Sequence, residues 1–557
     1  MSRRRRKRKR TSPVVNIILI AIAVLCFAFI ITRVFGENDK VAEQDSLFNI
    51  TSAEDAAIII DGEQNEAFGK NINGVLYIPY ETVWNDINSG FYVEEAADTL
   101  FMTLPDQTLT WTVSDPSGYL YKDQDGTYYI SAECVSQYSN IGLETYEDPY
   151  RIVIDTQPGS GAYVSVVNDS VIRVSASKKA EIAVSCAAGD VLELLSNEGE
   201  WSLVASRDGH FGYIQSADIA ETSVTEEYTA KPELEFETLG TGGTIKMAWD
   251  YIGRPEDNEA LDRMMEGTTG LNIISPTWFS ISDTSGNLIS YADAAYVEKA
   301  KNTYGLSVWA LVGDYGGEDA TTGEILQSYA NRQNITAQLI ESALTYGIDG
   351  INIDFEDIDE QYAPAYIEFL REFTQQAHMN GLIVSVDNYV PGYTDHYRRD
   401  AQNDIVDYVI MMGYDEHTAY TSEYGSVASL PYVEGGITAT LEEVAPEKLV
   451  LAVPFYTRGF TVPFGTDSFE TETLFMSDQE TFMAEHGIEN LTWDAAAGQY
   501  TGSSEDQSGR YYIWIENAES LAEKLSLVDK YSLAGACGWR LGMETDDIWP
   551  VWNEYLG

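Results

Sequence analysis

Asn352, Asp354 and Glu356 recur at alternate positions in YGIDGINIDFEDIDE (residues 346–360), interleaved with Ile351, Ile353 and Phe355. On a β-strand this puts an amide and two carboxylates on one face and large apolar groups on the other. A solvated strand could carry that pattern cheaply. In a buried strand each unpartnered polar group would cost roughly 2–7 kcal/mol, so the trio must be hydrogen-bonded or used. Buried carboxylates serve proton transfer and the stabilisation of positive charge. No Ser-His-Asp arrangement, phosphate-cradling glycine loop or metal-ligand spacing elsewhere in the chain rivals this cluster, and neither metal nor cofactor is expected. A helix-loop-helix calcium site is disfavoured because its glycine and ligand spacing are absent.

The elements that position the trio begin near residue 242. Eight strand-like apolar runs follow: TIKMAWDY, LNIISPTWFSI, LSVWALVGDY, GINIDFEDI, LIVSVDNYV, YVIMMGYDE, KLVLAVPFYTRGF and LAGACGWRLG. Helix-like segments such as ITAQLIESALTYG and YIEFLREFTQQAHMNG lie between them. Apolar strands alternating with helices indicate a parallel sheet buried on both faces, and eight of them a (β/α)₈ TIM barrel. The trio then sits on the fourth strand. Ile351, Ile353 and Phe355 face the helices, and Asn352, Asp354 and Glu356 climb the lumen toward the C-terminal mouth, where barrel active sites lie. Asp349 has the other parity and is expected to brace the strand-entry turn with Gly350. Trp249, Trp278, Phe279 and Tyr456 stand near strand ends as candidate sugar-stacking rings, with core packing as the alternative for each. Arg458 would contact substrate, with pairing to a surface acid as the alternative, and His417 is read as structural.

IDGINIDFE matches the signature of family 18 glycoside hydrolases, the chitinase-like barrels. MMGYDEH resembles that family's Met-x-Tyr-Asp segment and GACGWRLG its last strand, so the resemblance covers 242–557. NIDFE combined with YDEH looks most like the subgroup that cuts peptidoglycan N-acetylglucosamine bonds, including spore-cortex-lytic enzymes. The resemblance implies Glu356 as general acid, its pKa raised by burial and by Asp354. It implies that the substrate's own 2-acetamido oxygen attacks the anomeric carbon, with retention of configuration. Asp354 would hold the acetamide and stabilise the oxazolinium-like intermediate, and Tyr414 would donate its hydroxyl to the acetamide oxygen. Asp415 would bind the sugar over an apolar floor from Trp539. Asn352, Arg458, Tyr456, Trp278 and Trp249 complete the expected substrate contacts. Many chitinases carry Asp where this chain has Asn352, and the amide is expected to lessen the upward push on Asp354. The alternatives are a chitinase, which a long insertion after the seventh run would favour, and a non-catalytic lectin or wall-binding scaffold. Residues 460–515 are long enough for such an insertion.

The rest of the chain frames this barrel. With 33 basic and 89 acidic side chains the net charge is −56, which argues against a nucleic-acid partner. The basic residues concentrate in RRRRKRKR, a cytoplasmic tail (1–13) before an apolar anchor (14–35). A single-pass membrane protein with its catalytic domain outside the cytoplasm is expected. A stalk (36–50) follows. Then comes an α+β repeat (51–157) in which NGVLYIPYETV and DGTYYISAECV align at an offset of 52, similar to the repeated domain named after the N-terminal part of copper amine oxidases. Residues 162–222 resemble a bacterial SH3-like all-β domain, a module that often holds enzymes against cell wall. An acidic linker (223–241) leads into the barrel. Cys134, Cys186 and Cys537 are scattered and read as core residues rather than a disulfide framework.

Overall fold

The computed structural model describes residues 37–222, 236–392, 394–466 and 468–557. These form two units, one of residues 37–87 and 118–222 and one of residues 88–117 and 236–557. The basic tail, the anchor segment 14–35 and most of the linker lie outside the described residues. Among those described, no helix is long and apolar enough to cross a membrane.

In the first unit the two repeat copies meet. Strands Val75–Pro79 and Tyr128–Ser131 pair antiparallel, with Ile78 opposite Ile130, and each runs into a short helix. The second helix starts where Ser131 caps it, its side chain accepting from the Cys134 N–H. Five further strands complete a seven-stranded sheet, in which Arg151–Asp155 lies parallel to Asp55–Ile60. Residues 163–221 form a second seven-stranded sheet, antiparallel throughout, around Val164, Ile172, Leu192, Val204 and Ile214. Cys134, Cys186 and Cys537 are all buried free thiols.

The repeat does not stay in one piece. Its first apolar strand, Thr99–Thr103, leaves the first unit and pairs with Phe91–Glu94 and Thr108–Thr112 in a small sheet of the second unit. The reason is burial. Tyr92 and Phe101 belong to the core of the second unit, so residues 51–157 are not a self-contained module.

The second unit is the expected barrel. Its parallel strands are β1 (Ile245–Asp250), β2 (Ile273–Pro276), β3 (Ser307–Gly313), β4 (Gly350–Asp354), β5 (Ile383–Tyr389), β6 (Tyr408–Met412), β7 (Leu449–Pro454) and β8 (Gly535–Trp539). Each pairs with the next, and β8 pairs with β1, which closes the barrel. All eight apolar runs of the sequence supply one strand each. Helix α1 (Tyr329–Tyr346) precedes β4 and α2 (Ala363–Met379) follows it. Gly350 is required where β4 enters, because a Cβ there would meet the Ile383 carbonyl oxygen at 2.8 Å and the Trp309 ring at 2.9 Å. Asp349 braces that entry by accepting from the Val308 N–H and from Lys301 Nζ.

Three additions surround the barrel. The 88–117 excursion packs on α1 and α2. The Arg332 guanidinium lies over the Tyr92 and Phe101 rings and pairs through two nitrogens with Glu372, while Thr103 donates to Glu368 at 2.7 Å. Residues 236–241, expected as linker, instead dock on the barrel: Phe236 is buried against His378, and the Leu239 N–H donates to Asp407. After β7, residues 456–515 form a five-stranded antiparallel sheet with the helix Gln479–Glu485. The sequence pattern left that shape open.

Candidate active site

The fourth strand carries its two faces as parity requires. Ile351, Ile353 and Phe355 are fully buried, and the Phe355 ring packs on Tyr366 and Phe369 of α2. Burying such a ring contributes about 1.5–3 kcal/mol, which fixes the strand's orientation and turns the polar trio inward.

Asn352 lies deepest, with no solvent exposure. Its Oδ1 accepts from Trp249 Nε1 at 2.9 Å, an indole reaching from β1 across the lumen. Its Nδ2 donates to Ser385 Oγ at 3.1 Å and to Asp387 Oδ1 at 2.8 Å, both on β5. Asn352 was expected among the substrate contacts, but the protein meets its hydrogen-bonding needs and leaves it as a brace.

Asp354 comes next. Part of its side chain opens to the cleft, yet the protein packed around it desolvates the carboxyl and pushes its pKa well above the usual range. The neighbouring carboxylates of Asp387, Glu356 and Asp314 push the same way. Asp354 also shares a hydrogen bond with Asp387, whose own carboxyl is pushed up, mainly by burial. Asp354 Oδ1 has no hydrogen-bond partner. The amide at 352 was expected to relieve Asp354; instead Asp387, one strand over, restores the charge.

Glu356 sits two residues beyond the strand end, with its side chain open to solvent at the mouth. The cleft walls still raise its pKa, and the Asp415 carboxylate adds to the push. Asp354 is not the main neighbour acting on it. Tyr389, at the end of β5, donates its hydroxyl to Glu356 Oε2, which opposes that rise. The Glu356 N–H donates to Asp314 Oδ2 at 2.7 Å, and Asp314 is itself pushed up to about 6, chiefly by burial.

Tyr414 follows β6 and is buried, and its phenol is held far above its usual pKa by burial first and then by Tyr456. It is a neutral donor at any working pH. Asp415 adopts φ 59°, a left-handed conformation that Asp tolerates. Its Oδ1 accepts from the Tyr456 hydroxyl at 2.6 Å and from Arg458 Nη2 at 2.9 Å. Arg458 therefore pairs with an acid of the site, and the strand that opens the 456–515 insertion also holds Asp415.

All four candidate stacking rings, Tyr456 among them, are buried. Trp249 and Trp278 are each 1% exposed; Trp249 packs edge-on against Trp539, and Trp278 lies against Tyr296 with its Nε1 bonded to Asn258. Phe279 is buried as well. Trp539, at the end of β8, keeps partial exposure. His417 bonds the Ser426 carbonyl through Nδ1, a structural contact. Asp387, Tyr389 and Asp314 were missed in the sequence. Ser385, Asp387 and Tyr389 alternate along SVDNY as the trio does along β4, and that parity was the available signal.

A closed parallel barrel with raised carboxyls and a neutral phenol at its C-terminal mouth defines a glycosidase-type site. Residues 256–544, just over half of the chain, match the profile of Glycosyl hydrolases family 18, and the chain belongs to that family. It is a glycosidase. It is 23% identical to the uncharacterized glycosylase YvbX of Bacillus subtilis over 56% of this chain and 92% of that one. It is 25% identical to the cortical fragment-lytic enzyme of Bacillus subtilis over 41% of this chain, and it spans 55% of that protein's length. A chitinase from Chromobacterium violaceum shares the fold, with a TM-score of 0.50 and 23% identity over 57% of this chain and 99% of that one.

Proposed function

We propose that this chain is a retaining glycosidase that cleaves β-1,4 N-acetylglucosaminyl linkages of peptidoglycan through the substrate's own acetamide. The observation that carries this reading is the raised Asp354–Glu356 pair standing beside the neutral Tyr414 phenol. Glu356 protonates the leaving oxygen, and its raised pKa lets it hold that proton to higher pH than an exposed glutamic acid would. Tyr414 donates to the acetamide oxygen and orients it toward the anomeric carbon. Asp354, whose side chain is partly open to the cleft, takes the acetamide N–H and offsets the positive charge of the cyclic intermediate. Trp539 floors the sugar, and Asp415, aimed by Arg458 and Tyr456, binds its hydroxyls.

The wall substrate is favoured by similarity to a cortical fragment-lytic enzyme. The antiparallel sheet at 163–221 is assigned as an SH3-like wall-binding module, and the part of the repeat that stays in the first unit, residues 51–87 and 118–157, as copper-amine-oxidase-N-terminal-like. The segment 14–35 is assigned as an anchor that leaves the barrel outside the cytoplasm. A second reading, chitin as substrate, is favoured by the 456–515 insertion, whose first strand reaches Asp415.

Incubating the full-length protein with purified peptidoglycan and with chitin oligomers, followed by mass spectrometry, separates these readings. N-acetylglucosamine reducing ends from wall alone support the first. Chitin oligomers cleaved in preference to wall support the second, and no turnover of either overturns both.

A further inference from the structure

Asp387 has no role in the reading above, although it is a buried carboxylate of the lumen. Two carboxyl groups joined by a hydrogen bond need one proton between them, because two carboxylates have no donor. The register that pairs Ile353 with Val386 sets the next residues, Asp354 and Asp387, side by side on the lumen face within hydrogen-bonding reach. Asn352 determines which side that proton favours. Pinned by Trp249 and Ser385, it turns its NH₂ toward Asp387 Oδ1 at 2.8 Å, which stabilises charge on Asp387 and leaves the proton on Asp354.

We infer that Asp387 is a positioning residue that holds Asp354 neutral at rest and accepts its proton as positive charge develops on the sugar. The inference rests on the reading of Asp354 given above. The step balances within the pair: the Asp354 O–H bond breaks, an Asp387 O–H bond forms, and the negative charge moves from Asp387 to Asp354. Asp354 then faces the oxazolinium-like cation as a carboxylate. Meanwhile Glu356 has passed its own proton to the leaving oxygen, so the net charge of the three acids falls by one as that of the bound sugar rises by one.

The pair is framed on every side by groups that bear on its titration. Glu356 faces it from the loop after β4, Asp314 from the loop after β3, Tyr389 from the end of β5, Tyr414 from the loop after β6, Cys537 from β8 and Tyr366 from α2. No cation is among them. The shared proton is thus what removes one of the pair's two negative charges.

The test uses Asp387→Asn in the full-length chain. The amide keeps the shape and can donate to Asp354, but it cannot take up a proton. Expected are a roughly hundredfold fall in kcat with KM within about twofold, and loss of the pH–rate limb that belongs to the pair. A second variant, Asn352→Asp/Asp387→Asn, returns a carboxylate to the neighbourhood of Asp354 and should recover at least about tenfold of that loss. Unchanged kcat and pH profile in Asp387→Asn would overturn the inference. A loss that keeps the wild-type pH limb and is not recovered would do the same, by making Asp387 merely structural. Infrared difference spectroscopy reads the pair without turnover: wild type minus Asp387→Asn should show one protonated-carboxyl band at neutral pH. Absence of that band overturns the shared proton even if the protein proves inactive. Absence of turnover with the band present overturns the proposed function alone.

Discussion

Tyr389 donates its hydroxyl to Glu356 Oε2, so the group assigned as general acid is held by a donor from the neighbouring strand. That bond favours the carboxylate and lowers the Glu356 pKa, whereas the Asp415 charge raises it. A general acid works only while protonated, so its pKa sets the alkaline limb of kcat/KM. Tyr389→Phe should raise that pKa and move the limb to higher pH. Asp415→Asn should lower it and move the limb to lower pH. Shifts of the same sign in the two variants would contradict the assignment.

The Glu356 backbone is also held, through its N–H to Asp314 Oδ2 at 2.7 Å. Asp314→Ala removes the acceptor without touching the proposed sugar contacts. A fall in kcat of about tenfold or more, with KM nearly unchanged, is expected from a misplaced acid. Steady-state kinetics on the preferred substrate check this, and a pure KM effect would count against it.

Most of the barrel was legible in the sequence because buried parallel strands have to be apolar runs, and eight such runs are hard to miss. The polar trio was legible for a related reason, since period two survives in any strand. Asp387 was not seen because SVDNY begins with a small polar residue and lacks the strong apolar partners that made β4 conspicuous. The burial of Trp249 and Trp278 depends on what packs over them from other strands, which no local pattern reports. The 88–117 excursion was hidden because its alternation fits a repeat strand equally well in either unit. The Tyr92 and Phe101 rings against Arg332, and Thr103 on Glu368, reveal where it belongs.

The ion pair of Arg332 with Glu372 yields a stability prediction. Arg332 and Glu372 are both almost fully buried, and the guanidinium also donates to the Leu326 carbonyl. Arg332→Ala leaves Glu372 uncompensated and should cost about 3–5 kcal/mol. The barrel's unfolding transition in denaturant should move down accordingly. Deleting residues 88–117 should destabilise the barrel as well, so a protein made of residues 242–557 alone is expected to melt earlier than the full chain.

Glu368 gives a pH dependence of stability. Burial, with a smaller push from Glu372, raises its carboxyl from 4.5 to about 8. Between those values the folded protein holds a proton that the unfolded chain has released, so stability falls as pH rises through the window. Glu368→Gln stays neutral, and its Oε1 can still accept from Thr103. Thermal melts of wild type and Glu368→Gln should therefore diverge, with the variant gaining relative stability from pH 5 to pH 8. A constant difference across that range would contradict the shift.

The central claim is that Glu356 is the acid that breaks the glycosidic bond. The direct test compares initial hydrolysis rates of full-length wild type and Glu356→Gln on the preferred polysaccharide at neutral pH. The account predicts a loss of about 10²–10⁴-fold in kcat, with binding and the melting profile retained. A Glu356→Gln protein that hydrolyses at the wild-type rate would contradict it.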